Sequence, residues 1–156
     1  MTRPLKIPGR STLLAMLVLV NVVSASETKR VTAVLAEGTR WETPVVVIDS
    51  GVNGPTVLVV GGMHGNEPAG YRAAEQIRHW PIKKGKMAVI PRANVPGLLA
   101  NTRFLPGEPE DQKNLNRNFP AKDAPDRARG EIAAAIWKFT RELQPDWVID
   151  LHEGYE

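Results

Sequence analysis

Short apolar runs rich in β-branched residues alternate with segments of helical periodicity, and this alternation restricts the fold of the chain more than any other feature. Runs of this length and composition are typical of strands buried on both faces of a sheet. We expect 44–48 and 56–60 to form a hairpin around the turn at 51–55, with 56–60 as a buried central strand. The predicted strands are 31–35, 44–48, 56–60, 87–90 and 147–151.

Two segments have the periodicity of amphipathic helices. The first begins at Pro68, because proline is favoured at the first position of a helix, and extends to about Trp80. The second covers 128–143 and ends before Pro145. Their apolar stripes comprise Ala69, Ala73, Ile77 and Trp80 in the first helix, and Ile132, Ile136, Phe139 and Leu143 in the second. With the long irregular segment 91–126 between them, the order of elements predicts an α/β fold whose sheet contains parallel strands.

The first 25 residues have the pattern of a secretory signal. A basic start precedes the apolar run 13–23, which is shorter than the ~20 residues that a membrane-spanning helix needs. We expect cleavage after Ala25, export to the periplasm or the extracellular space, and no stable membrane span in the remaining domain, 26–156. The alternatives are an uncleaved anchor and a buried helix.

The charge of the chain gives no indication of a nucleic-acid partner. The sequence has 20 Lys and Arg residues against 17 Asp and Glu residues, and removal of Arg3, Lys6 and Arg10 with the signal leaves equal numbers of each sign. Neither a basic stripe with interleaved aromatic residues nor the spacing of a nucleotide-binding loop occurs. Because the sequence contains no cysteine, a metal site would use histidines and carboxylates.

Two of the three histidines follow predicted core strands, where ligand sites form in open α/β sheets. These are His64 and His152. Glu67 comes three residues after His64, and Gly65 is expected to allow a tight turn between them. Two histidines and a glutamate form a ligand set of catalytic zinc that leaves a fourth position for water. The simpler alternative is a pair of hydrogen-bonded histidines at strand ends, and the remaining histidine, His79, is expected at the surface.

The long irregular segment carries three side chains suited to binding anions. The guanidinium of an arginine makes two parallel hydrogen bonds to a carboxylate, and an asparagine amide adds a donor. Asn116 and Arg117 are therefore predicted to hold a substrate carboxylate, and Arg103 to stabilise the oxyanion formed when water attacks a carbonyl. Alternatively, all three are solvated loop side chains.

Four blocks of sequence, in this order, resemble the succinylglutamate desuccinylase/aspartoacylase family, a branch of the zinc carboxypeptidase superfamily. They are GGMHGNEPAG (61–70), PRANVPGLLANTRF (91–104), NLNRNFP (114–120) and DLHEG (150–154). The resemblance covers roughly residue 56 to the last residue. It implies a zinc-carboxypeptidase-like three-layer α/β/α fold with a mixed, partly parallel sheet.

The resemblance also implies a site and a reaction. One Zn²⁺ would be held by the residues identified above, His64, Glu67 and His152. Arg103 would lie near the scissile carbonyl, with Asn116 and Arg117 on the substrate carboxylate. The implied reaction is hydrolysis of an amide bond in a small N-acyl amino acid.

The chain departs from the family pattern at several positions. Relatives often have an aspartate at the position of Asn114 and a smaller polar residue at that of Glu153. They also continue past the third ligand and carry their catalytic glutamate on a later strand. We therefore expect this chain to be the N-terminal portion of a zinc hydrolase domain, with an exposed sheet edge and a tendency to aggregate. Glu153 and Glu156 are the nearest carboxylates, but Glu153 is expected to face away from His152, and the general base stays unassigned.

Three functions remain open from the sequence. The first is a zinc-dependent amidohydrolase acting on a small substrate that bears a carboxylate. The second, suggested by export together with the carboxylate-binding residues, is a secreted zinc carboxypeptidase acting on peptide or peptidoglycan ends. The third, suggested by the unmatched general base, is a non-catalytic chain that binds zinc or carboxylates. The oligomeric state is left open.

Overall fold

The computed structural model describes residues 27–121 and 127–154 and contains a mixed sheet of five strands with helices. The predicted signal segment and Glu156 lie outside the described residues. The elements are β1 (Lys29–Leu35), β2 (Thr43–Asp49), β3 (Thr56–Gly61), α1 (Pro68–Ile77), β4 (Lys86–Ile90), α2 (Val95–Leu99), a 3-10 turn (Leu115–Arg117), α3 (Glu131–Leu143) and β5 (Trp147–Leu151). All five predicted strands are confirmed, with shifts at their ends.

The strand order in the sheet is β1-β2-β4-β3-β5. β2 is antiparallel to both β1 and β4, whereas β3 is parallel to both β4 and β5. The predicted hairpin of 44–48 with 56–60 is wrong, because β4 lies between β2 and β3, and the hairpin is formed by β1 and β2 instead. A β-branched run indicates that a strand is buried but does not indicate its neighbour. The prediction of β3 as an interior strand is confirmed.

Helices cover both faces of the sheet, which confirms the predicted three-layer arrangement. Successive side chains of a strand point to opposite faces. In β3, Leu58 and Val60 pack in the same cluster as Ile136 of α3, whereas Val59 packs in a second cluster with Ala74 of α1. The two clusters of buried side chains therefore lie on opposite sides of the sheet.

α1 approaches the sheet through small residues, and this changes its predicted face. The helix ends at Ile77, and Trp80 is 57% exposed, so the stripe that included Trp80 is wrong. The buried residues of α1 are Gly70 and Ala74. A Cβ atom at Gly70 would lie only 2.3 Å from the carbonyl oxygen of Leu151 in β5. The close contact between helix and strand requires a residue without a side chain at this position.

The predicted second helix is confirmed, although α3 begins at Glu131 rather than at 128. Its stripe packs on the sheet, with Phe139 and Leu143 partly buried against the core. The described part of the long segment before it, 91–121, contains α2 and the 3-10 turn, which the sequence did not predict. Leu105 and Leu115 of this segment are buried in the core beside α3.

The topology brings two strand ends together. After β3 the chain crosses through α1 to β4 on one side, and it later returns through α3 to β5 on the other side of β3. Ligands of open α/β sheets bind where the strand order reverses in this way. Gly61, the last residue of β3, is paired with Leu151, the last residue of β5. Side chains that follow these two strands are thus held close to each other.

In the described part of the chain, β5 is an edge strand, and its apolar side chains are exposed. The exposed fractions are 68% for Trp147, 56% for Val148 and 46% for Ile149. An apolar edge of this kind favours association with other chains, so the tendency to aggregate stays a prediction. Among the residues 27–121 and 127–154, the helices are too short or too polar to span a bilayer.

Replacement of Gly70 tests the close contact between α1 and β5. Alanine normally stabilises a helix relative to glycine by about 1 kcal/mol. Here we expect Gly70→Ala to destabilise the chain by about 1–3 kcal/mol, because the new Cβ atom overlaps the Leu151 carbonyl. The measurement is urea denaturation, with exposed Gln76→Ala on the same helix as the control. A Gly70→Ala chain as stable as the control variant would contradict the contact.

Candidate metal centre

The turn between β3 and α1 carries the first two candidate ligands. The backbone N–H of Glu67 donates to the carbonyl of His64 at 3.3 Å, which folds the turn so that both side chains face inward. His64 is 2% exposed and Glu67 is 3% exposed. Gly65 does not act as predicted, because the positive φ value in this turn belongs to Gly62 (φ 69°). Gly65 is required for packing instead, since a Cβ atom there would lie 2.1 Å from the backbone of Gly97 in α2.

The carboxylate of Glu67 lies between the two histidines. One of its oxygens, Oε1, is 2.9 Å from Nδ1 of His64, and the other, Oε2, is 2.8 Å from Nδ1 of His152. The candidate ligand atoms of the three residues lie within 4.8 Å of one another. Because bonds from zinc to nitrogen or oxygen are about 2 Å long, small side-chain movements would let one ion reach all three residues. This set of donors fits zinc.

Each histidine has a second partner on its far nitrogen. Nε2 of His64 is 3.1 Å from Oδ1 of Asn114, and Nε2 of His152 is 2.8 Å from Oδ2 of Asp150. Both oxygens are acceptors, so each Nε2 can donate to its partner while Nδ1 faces the Glu67 carboxylate. A metal that replaced the contact between Nδ1 and Glu67 would find each ring still held through Nε2.

The roles of Asn114 and Asp150 as partners of the histidines were not predicted from the sequence. A signal for Asp150 existed, because residues two apart on a strand share a face, and Asp150 precedes His152 by two positions. Asn114 lies 50 positions from His64, and only the folded loop brings them together. The sequence contains no local pattern that would have revealed this contact.

The negative charge of Glu67 and the positive charge of His152 stabilise each other. Burial opposes ionisation of Glu67, but hydrogen bonds from His152, from the backbone N–H of Glu153 and from His64 hold the pKa of this carboxyl below its usual range. Partial burial lowers the pKa of His152, but hydrogen bonds to Glu67 and Asp150 outweigh it and raise that pKa above the usual range. A carboxylate beside an imidazolium is therefore the favoured state of the metal-free centre.

The structure brings Arg103 to the candidate ligands. Its Nη1 atom donates to Oε1 of Glu67 at 2.6 Å, and its side chain is 35% exposed. A guanidinium that touches a ligand and is also reached by solvent can face a substrate bound at the metal. Its predicted action on an oxyanion stays a prediction.

Asn116 and Arg117 lie on the 3-10 turn that directly follows Asn114. Oδ1 of Asn114, the atom that contacts His64, also accepts the backbone N–H of Asn116 at 3.2 Å. Asn116 and Asp150 line a cavity of about 190 Å³ whose other walls are mainly apolar. Arg117 is exposed, and its guanidinium donates to the carbonyl of Asn116 at 3.3 Å. The turn is thus connected to the candidate metal centre through Asn114, while carboxylate binding by Asn116 and Arg117 stays a prediction.

The carboxylate of Glu153 turns towards α1. β5 ends at Leu151, and Oε1 of Glu153 accepts the backbone N–H of Ala69 at 2.6 Å. This hydrogen bond engages the side chain with the helix and gives no support to a role as general base. The other carboxylate considered from the sequence, Glu156, lies outside the described residues. The general base stays unassigned.

This chain shares its fold and its sequence pattern with known proteins. A metallo-carboxypeptidase from Burkholderia cenocepacia, 12% identical, shares the fold with a TM-score of 0.56 over 84% of this chain and 38% of that chain. The carboxypeptidase-like fold predicted from the sequence is thereby confirmed. The model of the succinylglutamate desuccinylase/aspartoacylase catalytic domain matches residues 53–156, and the chain belongs to this family.

Two relatives agree with this assignment. An aspartoacylase family protein from Mesorhizobium loti is 30% identical, with a TM-score of 0.63 over 83% of this chain and 41% of that chain. The N-alpha-acetyl-L-2,4-diaminobutyric acid deacetylase of Halomonas elongata is 38% identical over 116 residues, which are 71% of this chain and 32% of the relative. The chain therefore spans about a third of the length of the curated relative that it matches.

The paired charges predict a pH optimum for stability in the metal-free chain. The lowered pKa of Glu67 gives stability that is present above the pKa of an unfolded glutamate and lost as the pH falls through the folded value. The raised pKa of His152 gives stability that is present below the pKa of an unfolded histidine and lost as the pH rises through the folded value. Both contributions are complete only from about pH 4.3 to 6.5.

We expect the urea midpoint of the metal-free chain to be higher at about pH 5.5 than at about pH 8.5. In His152→Gln the difference between these two conditions is expected to shrink, because the imidazole that titrates is gone. If the urea midpoint falls by the same amount between these two pH values in His152→Gln and in the original chain, His152 is not paired with Glu67.

Proposed function

We propose that this chain supplies the zinc site of an enzyme that hydrolyses an amide bond in a small N-acyl amino acid. The convergence of His64, Glu67 and His152 at the ends of two neighbouring strands is the observation that carries the proposal. Membership of a family of deacylases supports it. We further propose that the ion is a single Zn²⁺ and that the enzyme is exported, as the pattern of the first 25 residues predicts.

The residues around the centre have distinct parts in the proposed reaction. Bound zinc would polarise the substrate carbonyl and lower the pKa of a bound water. Asn114 and Asp150 contact the histidines at Nε2, so that both Nδ1 atoms would be available to hold the ion. Arg103, placed beside Glu67, stabilises the negative charge that develops on the carbonyl oxygen. A proton acceptor for the attacking water is still to be identified.

Asn116 and Arg117 select the substrate in this proposal. An exposed guanidinium next to an asparagine can bind a planar carboxylate through two parallel hydrogen bonds and an additional amide donor. The relative from Halomonas elongata is named for a substrate of this kind, an acetylated diamino acid with a free carboxylate. The proposed substrate class is therefore N-acyl amino acids, with the acyl group and the side chain left open.

A secreted carboxypeptidase acting on peptide or peptidoglycan ends is a second candidate. The same pair, Asn116 and Arg117, would bind the terminal carboxylate of a peptide. The export signal predicted from the sequence favours this candidate, because peptidoglycan lies outside the cytoplasm. Hydrolysis of muropeptides in preference to N-acetyl-2,4-diaminobutyrate, N-acetyl-aspartate and N-succinyl-glutamate would support it over the first.

The metal content of histidine variants tests the proposed zinc site. Purified chain is expected to contain about one zinc ion per molecule, because two imidazoles and a carboxylate make up the three protein ligands of a catalytic zinc site. His64→Ala removes a buried ligand and is expected to reduce the zinc content to near zero. His79→Ala, which removes an exposed histidine just after α1, is the matched control and should leave zinc unchanged. Equal zinc in His64→Ala and in the original chain would refute the ligand assignment.

Substitution of Arg117 tests the proposed binding of the substrate carboxylate. Loss of hydrogen bonds to a charged group is expected to raise KM about 10-fold or more in Arg117→Ala, with a smaller change in kcat. The measurement is the steady-state kinetics of the zinc-loaded enzyme with N-acyl amino acids. Exposed Arg141→Ala on α3 serves as the control. If both arginine variants have the same KM as the original enzyme, Arg117 does not bind the carboxylate.

A further inference from the structure

The start of α1 lacks the usual capping interaction from its own chain segment. Glu67 occupies the N-cap position, where a short polar side chain such as that of serine or aspartate normally accepts an N–H group of the first turn, and it makes no such bond. Both of its oxygens are instead engaged by His64 and His152. Pro68 has no N–H, so the first donor of the helix that needs a partner is Ala69.

Glu153 supplies this missing partner from another part of the chain. Its Oε1 atom accepts the Ala69 N–H at 2.6 Å, across 84 positions of sequence. The backbone N–H of Glu153 in turn donates to Oε2 of Glu67 at 3.2 Å. Each glutamate side chain thus accepts a backbone N–H from the other segment, in the reciprocal manner of a capping box but between two separate elements.

The two segments joined in this way are the ones that carry the candidate ligands. Glu67 lies two residues before Ala69, and His152 lies immediately before Glu153. The backbones are already close here, because Gly70 packs against the carbonyl of Leu151. The reciprocal hydrogen bonds therefore fix both the separation and the orientation of the end of β5 relative to the start of α1.

We propose that Glu153 is a positioning residue that caps α1 in place of Glu67 and thereby holds His152 against the Glu67 carboxylate. This inference rests on the proposed zinc site and assigns a structural reason for it. Both carboxylate oxygens of Glu67 can face the candidate site while Glu153 satisfies the Ala69 N–H. A side-chain oxygen of this reach suits the role, because it accepts an N–H of the first turn that has no partner within the helix.

Hydrogen exchange of the Ala69 amide tests the bridge in the metal-free chain. In the original chain this amide is protected by Glu153, and in Glu153→Ala we expect its exchange to accelerate about 10-fold, as for the loss of a capping residue. Glu153→Gln keeps a carbonyl oxygen of the same reach and is expected to retain the protection. The measurement is amide exchange followed by nuclear magnetic resonance. Unchanged exchange of Ala69 in Glu153→Ala would overturn the proposal.

Zinc affinity tests the positioning effect. The dissociation constant for Zn²⁺ can be measured by competition with a chromophoric chelator. We expect it to rise about 10-fold in Glu153→Ala, because the loss of a hydrogen bond that orients a metal ligand weakens metal binding by about this factor. Glu153→Gln is expected to stay close to the original value. Glu131→Ala, which removes a carboxylate from the first turn of α3, is the matched control and should leave zinc affinity unchanged.

The three variants separate the possible outcomes. Equal weakening of zinc binding in Glu153→Gln and Glu153→Ala would show that Glu153 acts through its charge and would overturn the capping role. Unaltered zinc affinity in Glu153→Ala would overturn the positioning role. If the original chain binds no zinc, the proposed function fails together with the positioning role, and Ala69 exchange still decides whether the bridge exists.

Discussion

The buried carboxylate of Glu67 is the group on which the rest of the site depends. An isolated carboxylate away from water is strongly unfavourable, so its burial requires several donors. Four groups supply them: the imidazoles of His64 and His152, the guanidinium of Arg103 and the backbone N–H of Glu153. They lie on three segments, the turn after β3, the loop after α2 and the residues that follow β5, and only the assembled sheet places these segments around one carboxylate. The same arrangement gathers the three candidate zinc ligands.

Much of the fold could be predicted because strands and helices leave strong local patterns. The five apolar runs became strands, and the stripe that includes Ile132 and Ile136 became the buried side of α3. The neighbours of β2 could not be predicted, since a run buried on both faces fits beside any other such run. The prediction of the buried face of α1 was also wrong. It packs through Gly70 and Ala74, and a pattern based on larger apolar residues gives little weight to such positions.

The candidate ligands could be predicted from their places at the ends of strands and from the family resemblance. The structure brings His64, Glu67 and His152 together, while their binding of zinc stays a prediction. The supporting contacts of Asn114 and Glu153 could not be predicted. They join positions 50 and 84 residues apart, and their partners are an imidazole nitrogen and a backbone N–H whose positions depend on the whole fold.

X-ray absorption at the zinc edge of the zinc-loaded chain reports the atoms bound to the metal and therefore tests whether His64, Glu67 and His152 are its ligands. We expect a four-coordinate ion with two imidazole nitrogens at about 2.0–2.1 Å and oxygen atoms as the remaining ligands. In His152→Ala the spectrum is expected to lose one of the two imidazole contributions. A shell made only of oxygen atoms, or a spectrum that is identical in His152→Ala, would contradict this set of ligands.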